Sequence, residues 1–213
     1  MEDYKKIISP LDPNIILRVT PGHFVTPNSH VNYYIDMTGM KSRMSEANAV
    51  AEAVTRFYMA TTAIDTILCM DGCEIIGAYL AEKLSRAGVM NMNAHKTIYI
   101  TVPEFSSSEQ MIFRENTKMM IKNKHILILL ASDTTGRTVA RTINTVRYYG
   151  GQIAGVCAIF SANDTVEDIP ITHLFSPKDL PGGYKSYPHV GCPLCEKKIP
   201  IDAICNSYGY SRV

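Results

Sequence analysis

The chain has 213 residues, and its 21 Lys and Arg nearly balance 20 Asp and Glu, which gives a net charge of +1. This length suits one packed domain with a small appendage, and the absence of charged blocks argues against nucleic acid or a membrane surface as partner. No apolar run reaches the roughly 20 residues of a transmembrane helix, and residues 1–6 lack the apolar segment of a secretory signal, so we expect a cytoplasmic protein.

Apolar and β-branched runs predict strands along the chain, with helices between them. The predicted strands cover residues 31–37, 64–70, 97–102, 126–131, 153–160 and 171–175. The predicted helices are residues 46–60 with Ser45 as N-cap, a helix through Ile76, Leu80 and Leu84 that stops at Gly88, and a helix through Val139, Ile143 and Val146 that ends at Gly150. Strands that alternate with helices predict βαβ units around a parallel sheet.

Two segments carry no such pattern. Thr20–His30 is predicted as a loop because it contains Pro21, Gly22 and Pro27. Residues 103–122, which include three consecutive serines, are predicted as a loop or a weak helix. Cys69, Cys73 and Cys157 lie in apolar surroundings that are typical of buried thiols, which fits a reducing compartment.

The central feature of the sequence is the apolar strand Ile126–Ala131 followed by the polar turn Ser132–Thr138. Apolar residues at every position, rather than at alternate ones, are typical of a strand covered on both faces of a parallel sheet. The turn contains Gly136 and three threonines, and its amides can surround an anion at the N-terminus of the next helix. Arg137 adds a full charge, so a phosphate monoester is the natural ligand; an ordinary strand–turn–helix connection is the alternative.

Several stretches together resemble the type I phosphoribosyltransferases, and more narrowly orotate phosphoribosyltransferase, over about the whole chain. Thr134-Thr135-Gly136-Arg137-Thr138, after its apolar strand, is similar to that family's phosphoribosyl pyrophosphate motif. Asp71-Gly72-Cys73 lies where the family has its pyrophosphate loop. Gly22-His23 and Ser29–Asp36 resemble the N-terminal hood element, and Cys192-Pro193-Leu194-Cys195 is similar to the tail of many bacterial members.

The resemblance implies a doubly wound α/β fold with a hood segment at 1–40, a core at 41–180 and a C-terminal tail or flap at 181–213. It implies a homodimeric enzyme with magnesium bound to the diphosphate of its substrate. In the reaction, a nitrogenous base displaces pyrophosphate from phosphoribosyl pyrophosphate. The pyrophosphate would lie on Asp71, Gly72 and Cys73. The 5′-phosphate would be held by Ser132, Asp133, Thr134, Thr135, Gly136, Arg137 and Thr138.

One departure from the family's pattern concerns the ribose. The acidic pair that holds the ribose hydroxyls falls on Leu130 and Ala131, and neither side chain can accept a hydrogen bond. Asp133 is the nearest carboxylate and so the candidate catalytic residue, although its register in the strand points it elsewhere. These observations support a second hypothesis, a degenerate member that binds a ribose phosphate or nucleotide as a sensor or partner module without catalysis.

Two further departures concern charge. The mobile loop, which is basic in the family, contains Glu104 and no base at 102–108, and Arg114 and Lys118 lie further along. The arginine that holds the orotate carboxylate falls on Ser161 or Ala162. Loss of the cations that meet a diphosphate should cost several kcal/mol of transition-state stabilisation.

Cys192 and Cys195 have the two-residue gap of a zinc site or a redox pair. Cys205 and His189 are possible third and fourth zinc ligands, while an ordinary reduced tail is the alternative. A redox role lacks a thioredoxin-like context at this place in the chain. His23 and His30 show no spacing typical of a catalytic triad.

Overall fold

The structure, a computed structural model, describes residues 4–86, 88, 90–108 and 110–213. The helices are α1 (Thr38–Ser42), α2 (Met44–Tyr58), α3 (Glu74–Ser85), α4 (Glu115–Lys118), α5 (Arg137–Tyr148) and α6 (Pro193–Glu196), with a 3-10 turn at Pro177–Asp179. The strands are β1 (Lys5–Ile8), β2 (Ile16–Val25), β3 (His30–Asp36), β4 (Thr66–Cys69), β5 (Tyr99–Thr101), β6 (Glu104–Phe105), β7 (Met111–Ile112), β8 (His125–Asp133), β9 (Gln152–Ser161), β10 (Thr165–Val166), β11 (Ile169–Phe175), β12 (Ser186–Tyr187), β13 (Ala203–Asn206) and β14 (Gly209–Arg212).

The main sheet has the strand order β10-β11-β9-β8-β4-β5 and is parallel except at its edge strand β10. Alternate residues of β8 face opposite sides: Leu127 and Leu129 pack into the cluster that contains α2 and α3, and Ile126 and Ile128 into the cluster that contains α5. Helices cover both faces, which explains why β8 is apolar at every position from Ile126 to Ala131. The predicted doubly wound α/β fold is confirmed.

A second sheet joins the two ends of the chain and forms the hood. Its order is β12-β3-β2-β13-β14, and β1 pairs with β2. β13 lies parallel to β2, with Ala203 opposite Phe24, so the tail is built into the N-terminal sheet. The domain boundaries at residues 40 and 180 stay a prediction, and residues 1–3 of the predicted hood segment lie outside the described residues. In the part of the chain that the structure describes, no helix combines the length and apolar character needed to cross a membrane.

The structure corrects three local predictions. The predicted loop Thr20–His30 is confined to residues 26–29, because β2 continues through Pro21 to Val25 with a register shift between Pro21 and Phe24. Ser45 is not the N-cap of α2; Arg43 has the extended backbone that ends α1 and begins α2. The predicted loop or weak helix at 103–122 contains the β6–β7 hairpin and α4, apart from residue 109, which is outside the described residues.

Candidate functional site

The turns after β4 and β8 meet at one edge of the main sheet. These strands are adjacent and parallel, with Cys69 opposite Leu129, so their carboxyl ends lie side by side. A cleft of about 720 Å³ opens there between the sheet edge and the hood. Ser132, Asp133, Thr134, Thr135, Arg137 and Thr138 line it from one turn, and Asp71, Gly72 and Glu74 line it from the other. Open parallel sheets commonly bind ligands at this edge.

Gly136 sets the geometry of the first turn. It is the N-cap of α5, with a left-handed backbone (φ 72°) and no side chain in the cleft. The first turn of α5 contains amides that its own hydrogen-bond ladder does not use, and no acidic residue. Arg137 occupies that turn instead, although a cation at a helix N-terminus is locally unfavourable. An anion bound between the Arg137 side chain and these amides would make the electrostatic interactions at this helix N-terminus favourable.

Asp133, the candidate catalytic residue, holds this turn together. It is the last residue of β8, so the strand is longer than predicted, and its side chain is only 3% exposed. Its carboxylate accepts hydrogen bonds from the Gly136 amide at 2.9 Å and the Asn163 side-chain amide at 2.7 Å. It also lies 3.3 Å from the Ser161 hydroxyl, whose proton goes to the Asn163 carbonyl at 2.7 Å. These contacts within the protein favour a structural role for Asp133, and its catalytic role stays a prediction.

We expect Asp133→Ala to lower the free energy of unfolding by about 1.5–3 kcal/mol, because it removes a charged acceptor and leaves buried donors unpaired. Ser132→Ala is the matched control, since Ser132 is the exposed neighbour on the same strand, and a change within about 0.5 kcal/mol is expected there. Urea denaturation of both variants measures the difference. Equal stabilities of the two variants would contradict the structural role of Asp133.

The second turn, Asp71-Gly72-Cys73, is only partly accessible to a ligand. Asp71 and Gly72 both have left-handed backbones and both line the cleft. Cys73 is fully buried in the main core, and burial raises the pKa of its thiol well above the usual range. The thiol of Cys73 therefore cannot contact a pyrophosphate, and of the three predicted residues only Asp71 and Gly72 reach the cleft.

Asp71 places a carboxylate beside the positions where the acidic pair is missing. Burial raises the pKa of Asp71, whereas Lys41 and the backbone N–H of Ala131 act to lower it. Leu130 and Ala131 themselves are buried in the two opposite core clusters. The carboxylate beside these two positions thus comes from Asp71, in the turn after β4, and not from β8.

The two basic residues that follow the loop at 102–108 are already paired. Arg114 donates to Glu104 across the β6–β7 hairpin, with Nε to Oε2 at 2.7 Å. Lys118 pairs with Glu115 within α4. Ser161, one of the two positions for the orotate-binding arginine, is buried and donates to the Asn163 carbonyl at 2.7 Å.

Sequence reasoning missed the cleft's other cations. The Lys41 ammonium donates to the carbonyl of Asp71 at 2.8 Å and to that of Ser207 at 2.7 Å, and so joins the second turn to the tail. Arg141 also lines the cleft, and its position one helical turn after Arg137 was a signal for it. No comparable signal marked Lys41, because its site depends on how the chain segments pack.

Two histidines complete a cluster with the cysteine pair. Ligand atoms of His23, His30, Cys192 and Cys195 all lie within 4.8 Å of one another. The predicted third and fourth ligands are not there. Cys205 packs with Phe24 in the core of the hood. His189 makes an edge-to-face ring contact with His30, with 5.2 Å between the ring centroids. Sequence reasoning could not single out the two histidines, because they meet the tail through the pairing of β13 with β2 and of β12 with β3.

Known structures share this architecture. A phosphoribosyltransferase from Corynebacterium diphtheriae is 14% identical, with a TM-score of 0.53 over 76% of this chain and 90% of its own. Adenine phosphoribosyltransferase from Leishmania donovani is 14% identical, with a TM-score of 0.52 over 93% of this chain and 100% of its own. Orotate phosphoribosyltransferase from Mycobacterium tuberculosis, in complex with 5-phospho-α-D-ribosyl 1-diphosphate, is 14% identical, with a TM-score of 0.51 over 70% and 83%.

No protein-family profile matches the chain, and no curated protein sequence matches it either. The structural likenesses, at these identities, establish the fold. The chain has the fold of the type I phosphoribosyltransferases, as the resemblance of its motifs predicted.

Proposed function

We propose, from the premise of the type I phosphoribosyltransferase fold, that the cleft binds phosphoribosyl pyrophosphate and transfers its phosphoribosyl group to a nitrogenous base. The observation that carries this proposal is the cationic N-terminus of α5, with Arg137 and no acidic residue, facing a cleft at the carboxyl edge of the sheet. That combination favours a bound phosphate. A neighbour with the same fold holds 5-phospho-α-D-ribosyl 1-diphosphate, which supports the choice of ligand.

In this proposal the two turns bind the two ends of the ligand. The amides of the first turn of α5 and the hydroxyls of Thr134, Thr135 and Thr138 hold the 5′-phosphate. The diphosphate lies on Asp71-Gly72, where the Lys41 ammonium supplies a cation that the loop at 102–108 lacks. The carboxylate of Asp71 accepts hydrogen bonds from the ribose hydroxyls, in place of the acidic pair absent from Leu130 and Ala131.

The chemistry then requires positioning and charge stabilisation more than covalent participation by the protein. The nitrogen of the base forms a bond to the anomeric carbon while the bond from that carbon to the diphosphate oxygen breaks, and pyrophosphate leaves with the electron pair. Magnesium fits this site because two acidic residues, Asp71 and Glu74, line the cleft, and carboxylate oxygen is the ligand type that this ion prefers. Bound there with the diphosphate, it would neutralise charge on the leaving group.

The base is expected to pack against aromatic side chains of the hood. Tyr34 and Tyr184 line the cleft, and the Tyr184 ring meets Phe160 at 4.9 Å between centroids. Burial raises the pKa of both phenols, so each stays a neutral hydrogen-bonding group. An orotate-type reaction is the finer proposal, since the motifs resemble that family, although Ser161 supplies no cation for the orotate carboxylate. Assembly as a homodimer also remains a prediction.

One assay tests the enzyme. The protein is incubated with phosphoribosyl pyrophosphate, magnesium and a panel of bases that includes orotate, adenine and hypoxanthine, and pyrophosphate release is followed. The proposal expects release with at least one base and its loss in Asp71→Asn. Without turnover on any base, the transferase proposal fails.

The second candidate is a protein that binds a ribose phosphate or nucleotide without catalysis, as a sensor or partner module. The buried, apolar Leu130 and Ala131 and the paired Arg114 favour it, because the family's ribose-binding acids and free loop cations are missing. Saturable binding of ribose 5-phosphate without pyrophosphate release in the same assay would select this candidate.

A further inference from the structure

We propose that His23, His30, Cys192 and Cys195 form a structural zinc site that fastens the tail of the chain to the hood. His23 lies in β2 and His30 at the start of β3. Cys192 is the N-cap of α6, and Cys195 lies within that helix. The site is separate from the cleft, since none of its four residues lines that space. The inference therefore does not depend on what the cleft binds.

The distances are close to those of a tetrahedral zinc centre. Zinc–sulfur bonds of about 2.3 Å and zinc–nitrogen bonds of about 2.0 Å require nitrogen–sulfur edges of about 3.6 Å. The sulfur of Cys195 lies 3.4 Å from His30 Nδ1 and 3.7 Å from His23 Nε2, and that of Cys192 lies 3.9 Å from His23 Nε2. The two imidazole nitrogens are 2.8 Å apart and would separate by roughly 0.5 Å around the ion.

The surroundings prepare His23 as a ligand. The carbonyl of Ile199 can only accept, so its 2.9 Å contact with His23 Nδ1 means that this nitrogen carries the proton. With that proton on Nδ1, Nε2 is the ring nitrogen that can bind a metal. A backbone carbonyl that fixes the tautomer of a histidine in this way is a common outer partner of zinc ligands.

The donor set selects the metal. Two thiols and two imidazoles in a closed four-ligand arrangement suit zinc better than the oxygen-seeking magnesium or calcium. His23, His30 and Cys192 are buried, so the ion would be shielded, with Cys195 at the solvent side. The six cysteines are all free thiols, so Cys192 and Cys195 are available as thiolate ligands.

The site would have a clear structural consequence. Its ligands belong to segments 23–30 and 192–195, so one ion would cross-link the two ends of the chain. Between that cross-link and the C-terminus lies the β13–β14 hairpin, which Asp202 also attaches to the His23 amide at 2.8 Å. Residues Cys205 to Gly209 of this hairpin line the cleft. The metal would therefore hold one wall of the cleft in place.

Metal analysis of the purified, reduced full chain tests the proposal. We expect about one zinc ion per chain, and a loss of more than about tenfold in zinc content in Cys192→Ser and Cys195→Ser. His189→Gln and Cys205→Ser are the matched controls, because each is the nearby residue of the same type outside the cluster, and both should keep the zinc. Controls that lose zinc as fully as the ligand variants would overturn the ligand set.

A second measurement on the unchanged chain keeps the test independent of variant folding. After removal of metal by a chelator, addition of Co²⁺ should produce the intense visible bands of a tetrahedral ion and a thiolate-to-cobalt charge-transfer band. Zinc should then displace the cobalt and remove both. A chain that contains no zinc and binds neither ion under reducing conditions would overturn the proposal.

Discussion

Replacing Gly136 by alanine is expected to lower the affinity for ribose 5-phosphate by more than about tenfold while the chain still folds. Gly136 has a left-handed backbone, which costs a residue with a side chain about 1–2 kcal/mol. A Cβ there would also lie 3.0 Å from the Val166 side chain. We expect the turn to shift, because a shift relieves both the backbone strain and the close contact with Val166. The amides at the start of α5 would then move away from the phosphate.

Gly150→Ala is the matched control, because Gly150 also has a left-handed backbone (φ 80°) and follows the opposite end of α5. Its Cβ would meet only Lys122 at the ordinary distance of 3.6 Å. This variant should lose similar stability and keep its affinity. Isothermal titration of ribose 5-phosphate into both variants makes the comparison, and equal affinities would show that the phosphate does not lie on the turn.

Replacing Lys41 by methionine is expected to weaken binding of phosphoribosyl pyrophosphate by roughly tenfold to a hundredfold, since hydrogen bonds to charged groups contribute about 1.5–3 kcal/mol. Binding of ribose 5-phosphate, which lacks the diphosphate, should change little. The reason is geometric: the Lys41 ammonium lies over Asp71-Gly72, only 3.8 Å from where a Gly72 Cβ would be. Methionine keeps a long unbranched side chain, one atom shorter than that of lysine, and removes the charge together with the hydrogen bonds to the Asp71 and Ser207 carbonyls.

Lys178→Met provides the control for a general change in charge. Lys178 is exposed in the 3-10 turn and does not line the cleft. Both ligands should bind this variant as they bind the unchanged protein. If Lys41→Met weakens ribose 5-phosphate as much as phosphoribosyl pyrophosphate, the assignment of two separate ends of the cleft is wrong.

Local patterns were enough to predict the main sheet. The uninterrupted apolar run of β8 required cover on both faces, and the structure supplies it with α2 and α3 on one side and α5 on the other. The turns after β4 and β8 could be placed at the same edge because parallel neighbours end together. Pro21 misled the prediction of a loop, since a register shift lets the strand continue past it.

The features that sequence reasoning missed depend on contacts between distant segments. Lys41 touches Asp71 and Ser207, which are 30 and 166 residues away. His23 and Cys192 are separated by 169 residues and meet only because the tail joins the N-terminal sheet. Asp133 is a further example, because its role follows from contacts with Ser161 at the end of β9 and with Asn163 just after it.

A crystal structure of the protein with bound ribose 5-phosphate tests the central claim most directly. The account predicts that the phosphate accepts hydrogen bonds from the amides in the first turn of α5, with the Arg137 side chain beside it and the sugar directed toward Asp71. A phosphate bound elsewhere, with this turn closed by the protein's own side chains, would contradict both the transferase and the binding-protein proposals.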